Sequence, residues 1–95
     1  MIKHIVLFKM KEKKDIPRAA EALNALKGRI DGMTDLEVGV DFLHSERSFD
    51  LALTTMHIDR AALDFYQAHP LHQPVKKLMA EIRESSVACD YEVAK

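Results

Sequence analysis

The 95-residue sequence holds one cysteine, no tryptophan, three glycines and three prolines. A lone Cys89 cannot close an intrachain disulfide, which removes the disulfide-stapled scaffolds and the paired-cysteine redox proteins from consideration. Long apolar runs are missing as well. The first, Ile5 to Phe8, is followed at once by charged Lys9 and Lys11, so neither the apolar stretch of a signal peptide nor the roughly 20 apolar residues of a membrane span is present. The expected location is therefore cytoplasmic, with no membrane partner. Nor does one sign of charge dominate. Lys and Arg total 14 against 15 Asp and Glu, a net charge of −1, which offers nucleic acid or an anionic lipid surface no sequence-independent attraction. The sequence contains no G-x-G-x-x-G, P-loop or G-x-S-x-G, which argues against dinucleotide enzymes, NTPases and α/β-hydrolases.

What is present is a globular balance of 47% apolar and 31% charged residues, sized for one domain over residues 1–95. A chain this short buries only about 60–65% of the surface its unfolded form exposes, so a partner that covers more of it is expected.

The pattern reads strand, helix, strand, strand, two helices, strand. Residues 2–10 alternate Ile2, His4, Val6, Phe8, Met10 against Lys3, Ile5, Leu7, Lys9, with both faces apolar in the middle. Asp15 and Pro17 open an amphipathic helix whose apolar positions recur from Ile16 to Ile30, with Gly28 and Gly32 at its end. Leu36 to Leu43 and Phe49 to His57 form a hairpin around a polar break. Asp59 caps a helix over Arg60 to Ala68, and Pro70 ends it. Pro74 begins another helix, with Val75, Leu78, Met79 and Ile82 on its inner side and Lys76, Lys77, Glu81 and Arg83 on its outer side. Val87 to Val93 is the last strand, and Cys89 within it is expected to be a small buried hydrophobe. The expected architecture is a ferredoxin-like α+β fold, βαββαβ, with a four-stranded antiparallel sheet. Right-handed crossovers put all helices on one sheet face, which leaves the other to be covered by a second copy.

Five histidines carry the only suggestive chemistry. His4 falls on an apolar strand face and must find a hydrogen-bond partner there. His44 and His57 follow strands and are expected in solvent. Tyr66 and His69, three residues apart on a helix, approach one wall together, with His72 just past the Pro70 break; imidazoles in such a cleft can move protons near neutral pH. His69 and His72 also form an H-x-x-H pair, but zinc usually takes three or four ligands and no acidic helical motif accompanies it, so no metal is expected. In the plain structural alternative, His69 closes one helix and His72 starts the next. The Lys11 to Lys14 run is a solvated turn.

Four blocks of residues, Ile2 to Lys9 (IKHIVLFK), Phe49 to Leu53 (FDLAL), Tyr66 to His72 (YQAHPLH) and Cys89 to Tyr91 (CDY), resemble the stress-responsive A/B barrel, or Dabb, family over nearly the whole chain. The Y-x-x-H-P-x-H run after an Asp-capped helix is the most specific of them. The resemblance implies a homodimeric α+β barrel made from two facing sheets. The family includes plant stress proteins, many bacterial members and a polyketide cyclase that performs an intramolecular aldol condensation without a metal. In that cyclase the residues matching Tyr66 and His72 carry acid–base work; His4 and His69 match further histidines, and Asp50 stands where another would be. Two functions follow as expectations: a dimer that binds a small, largely apolar ligand in a pocket lined by His4, Asp50 and His69, or a cofactor-free enzyme, cyclase-like or a small-quinol monooxygenase, with Tyr66 and His72 as the catalytic pair.

Overall fold

In the computed structural model, which describes residues 1–93, the chain folds as β1 (Ile2–Met10), α1 (Ile16–Asn24), β2 (Met33–Val40), β3 (Leu51–His57), α2 (Arg60–Ala68), α3 (Gln73–Ile82) and β4 (Arg83–Glu92), with a short 3₁₀ turn at Lys13–Asp15 before α1. The strands form one antiparallel sheet in the order β2-β3-β1-β4. This is the expected ferredoxin-like arrangement, with the two-faced β1 at the centre of the sheet, where apolar residues on both sides are least wasteful.

The alternation of the strands decides which face meets the helices. Ile2, His4, Phe8 and Met10 of β1 and Leu51, Leu53, Thr55 and His57 of β3 are all buried. The apolar stripe of α1, Ile16, Ala19 and Leu23, lies against them, and Tyr66 of α2 and Met79 and Ile82 of α3 complete the layer. Sealing a leucine such as Leu23, only 1% exposed, contributes about 1.5–3 kcal/mol. The shortest dimension of the molecule is 18 Å, room for one sheet and one layer of helices. The second sheet face therefore stays open. It carries Ile5, Leu7, Ala52 and Val87, with Leu7 opposite both Ala52 and Val87 and Ile5 opposite Cys89.

The boundaries differ from the sequence expectation for local reasons. α1 stops at Asn24, because the next amides bond three residues back, Leu26 to Leu23 and Lys27 to Asn24, and Gly28 then takes φ +75°. Gly32, at φ +87°, has no room for a side chain: a Cβ there would lie 2.7 Å from that of Ala62. β2 starts earlier and ends earlier than Leu36 to Leu43, since the Asp41 amide bonds Asp50 O and closes a long loop to β3. Phe42 and Leu43, expected in the strand, are 88% and 69% exposed. β4 begins straight after Ile82, four residues before Val87, because Arg83, Ser85 and Ser86 pair with Met10, Lys9 and Phe8 at the end of β1, with Glu84 in a bulge. Cys89 is exposed, not buried, since it points to the open face.

Candidate functional site

A cavity of about 460 Å³ lies between the inner face of β1 and β4 and the helices α2 and α3. Its walls include Val6, Phe8 and Leu53 from the sheet and Val75 and Met79 from α3, with His4, Tyr66 and His72 as the polar groups deepest in it. The volume falls in the range of about 300–1,000 Å³ usual for small-molecule sites.

Tyr66 anchors the cluster. The Asp59 carboxylate accepts the Ala62 amide at 2.8 Å and starts α2, a cap worth about 1 kcal/mol, and the helix turns Tyr66 fully inward. The His72 ring stacks on the Tyr66 ring, with centroids 4.3 Å apart, because the chain reverses at Pro70 and brings His72 back to the head of α3. The His72 Nδ1–H donates to the Tyr66 carbonyl at 3.1 Å, which fixes the tautomer and leaves Nε2 as the lone-pair nitrogen. Burial lowers the His72 pKa to about 4, the carbonyl bond opposing that shift and the nearby Lys76 charge reinforcing it. Burial pushes the Tyr66 hydroxyl up to about 12. Tyr66 Oη has no hydrogen-bond partner among the described residues.

His4 is buried and pairs through Nδ1 with the Asp90 carboxylate, which stands opposite it on β4 and is half exposed. This is the partner that an apolar strand face demands. His57, expected in solvent, is fully buried against Tyr66, with ring centroids 5.1 Å apart. The reason is its phase: it shares the inner side of β3 with Leu51, Leu53 and Thr55, and α2 folds back over the strand end. Its Nε2 shares a 2.8 Å hydrogen bond with Thr55 Oγ1, while Nδ1 is unpartnered among the described residues. Burial, helped by His4, lowers its pKa. Asp90, Thr55 and His57 pack around His4 and Tyr66 without lining the cavity, and strict alternation along β3 and β4 puts all three on the inner face.

Two expected site residues lie elsewhere. Asp50 sits just before β3 and is buried, but its carboxylate accepts the Met10 amide at 2.7 Å and meets Lys13 Nζ at 3.5 Å, at the far end of β1 and outside the cavity lining. Burial alone would raise its pKa; the Met10 amide and the Lys13 and Lys9 charges outweigh burial and lower it. His69 closes α2: its amide bonds the Tyr66 carbonyl, its Nδ1 accepts the Leu71 amide at 3.0 Å, and its ring meets Phe65 edge-on. It does not share the cavity wall with Tyr66. Lys76 and Arg83, expected on the outer side of α3, stand on the cavity rim. Among the described residues no group of three or more His, Cys, Asp or Glu side chains is placed to hold a metal ion, and no helix is long and apolar enough to cross a membrane.

The family model of the stress responsive A/B barrel domain matches residues 2–93. The chain belongs to that family. An uncharacterized protein of Streptomyces coelicolor is 34% identical over 97% of this chain and 99% of its own length. A dimeric ferredoxin-like protein of Bacteroides fragilis superposes with a TM-score of 0.85 at 31% identity, covering 97% of this chain and 95% of its own. A hydroxynitrile lyase of Passiflora edulis superposes with a TM-score of 0.84 over 99% of this chain and 94% of its own; at 18% identity that likeness speaks for the fold alone.

Proposed function

We propose that this Dabb-family chain is a homodimer, joined through its open sheet faces, that binds a small, largely apolar ligand in the cavity beneath α2 and α3. The observation that carries the reading is Tyr66: a hydroxyl with no partner among the described residues, on a fully buried residue at a cavity whose lining is mostly apolar. An unsatisfied buried hydroxyl costs about 1–3 kcal/mol, a cost that a ligand's polar atom would remove. Pairing of two copies rests on the apolar open face and on the dimeric state of the Bacteroides fragilis relative. Such a pairing would also cover Val87, Cys89 and Tyr91, exposed in the single chain.

Ala80 and Ala88 are exposed and line the cavity, so Ala80→Trp and Ala88→Trp add bulk there without disturbing the core. Native mass spectrometry of the purified dimer should find a bound small molecule in the wild type and not in these variants. The same molecule retained by both, or a small-molecule screen in which no compound raises the melting temperature, would overturn the reading.

A second reading, a cofactor-free enzyme, draws on the oriented imidazole of His72. Its Nε2 would take a proton from carbon or oxygen while Tyr66 Oη donates a hydrogen bond to the developing enolate oxygen, and the Asp90 carboxylate would keep His4 in one tautomer. A base whose conjugate acid has a pKa of about 4 removes protons weakly at neutral pH, which favours binding over turnover. His72→Ala should abolish turnover of a true substrate and leave the dimer intact; undiminished turnover would remove His72 from the mechanism.

A further inference from the structure

We infer that the ligand of this cavity is a small organic anion, an apolar body with one carboxylate-like group, whose charged end is held at the rim between Lys76 and Arg83. The inference rests on the reading of the cavity as a ligand site and adds the sign of the ligand's charge. Lys76 lies on α3 and Arg83 where that helix ends and β4 begins, with Met79 and Ala80 of α3 between them in the chain. All four line the cavity. Each cation is positioned by a neutral group: Lys76 Nζ donates to the Gln67 carbonyl at 2.5 Å, and Arg83 Nη1 donates to Ser86 Oγ at 3.1 Å. Neither forms an ion pair among the described residues, although five other Lys and Arg side chains there do.

The lining contains no Asp or Glu among the described residues. The nearest acid on the inner face of β4, Asp90, is engaged by His4. An apolar interior with two cations and no carboxylate at its rim is the charge complement of an amphipathic anion. A ligand cation would meet repulsion at both positions, and an uncharged ligand would gain nothing from either. The chain's net charge of −1 makes this a local feature and not a consequence of a basic surface. The other cavity beside α2, lined by Arg60, Asp64, Asp90 and Glu92, differs in that its one cation is paired with Glu92.

Titration calorimetry of the wild-type protein with octanoate, octan-1-ol and octylamine at low salt tests the claim. Octanoate should bind about tenfold more tightly than octan-1-ol, the size expected of two partly exposed ion pairs, and octylamine more weakly than either. Raising the salt should shrink the preference. Lys76→Gln with Arg83→Gln should equalise octanoate and octan-1-ol, chiefly by weakening octanoate. If the double variant fails to fold, Lys76→Gln alone, at an exposed position, should lose about threefold of the preference. Equal wild-type affinities for octanoate and octan-1-ol would overturn the anion inference and leave the ligand site standing. So would a preference that survives both substitutions. Absence of binding by all three probes would overturn both.

Discussion

Lowering the pH from 7 to 5 should cost the folded protein about 2 kcal/mol through His72 alone. Burial holds this imidazole at about 4, against the ordinary 6.5 of the unfolded chain. The depressed native value means that the unfolded chain takes up a proton first. Stability is therefore complete above about pH 6.5, falls as pH drops below that value, and levels off near pH 4. The full window spans about 2.5 units, or roughly 3 kcal/mol at 1.36 kcal/mol per unit; about 2 kcal/mol of it lies between pH 7 and 5. His57, also buried and shifted downward, adds to the loss with the same sign. Asp50, whose pKa is lowered, loses its contribution only below the ordinary carboxylate range, so its titration falls in a separate window. Urea unfolding at fixed protein concentration from pH 7.5 to 4.5 measures the slope, and His72→Gln, neutral at every pH, should reduce it. A stability that stays flat between pH 7 and 5, or a His72→Gln variant with an undiminished slope, would refute the burial argument.

Tyr66→Phe should leave the ligand-free protein as stable as wild type or up to about 2 kcal/mol more stable, since it removes an unsatisfied buried hydroxyl, while weakening ligand binding; a large loss of stability in thermal melts would show that Oη has a partner. Leu7→Asp places a charge in the middle of the open sheet face and should yield a 10.8 kDa species by sedimentation at micromolar concentration; a persisting dimer would place the interface elsewhere. Asp50→Ala leaves the Met10 amide without its acceptor and should cost about 1–3 kcal/mol in urea unfolding with unchanged ligand affinity, whereas a selective loss of binding would return Asp50 to the site. Gly32→Ala should destabilise by more than about 1 kcal/mol through its positive φ and the contact with Ala62; a neutral result in the same assay would mean that the turn relaxes.

The fold was legible because its signals are periodic. The alternation along β1, the stripe from Ile16 to Leu23 and the Asp59 cap each report backbone geometry directly, and together they specify a two-layer α+β domain with one sheet face left open. Boundaries were less legible where pairing overrides composition. Nothing in Glu84-Ser85-Ser86 announces a strand, yet it completes β4 because the end of β1 needs a neighbour. The site was legible in its contiguous part: Tyr66 and His72 lie six residues apart, and the Pro70 reversal superposes their rings. Its long-range part was not. Asp90 reaches His4 only through strand register, and His57 goes inside because α2 folds back over β3. His69 and Asp50 look like site residues by type, but each is used up locally, one at a helix end and the other on the Met10 amide.

The account stands on Tyr66 as the polar anchor of an apolar cavity. A crystal structure of the dimer with the molecule that native mass spectrometry finds bound to it tests this most directly. The molecule should lie between β1, α2 and α3, with an oxygen or nitrogen within about 3 Å of Tyr66 Oη. A ligand seated outside this cavity, or one that leaves the Tyr66 hydroxyl without a partner, would contradict it.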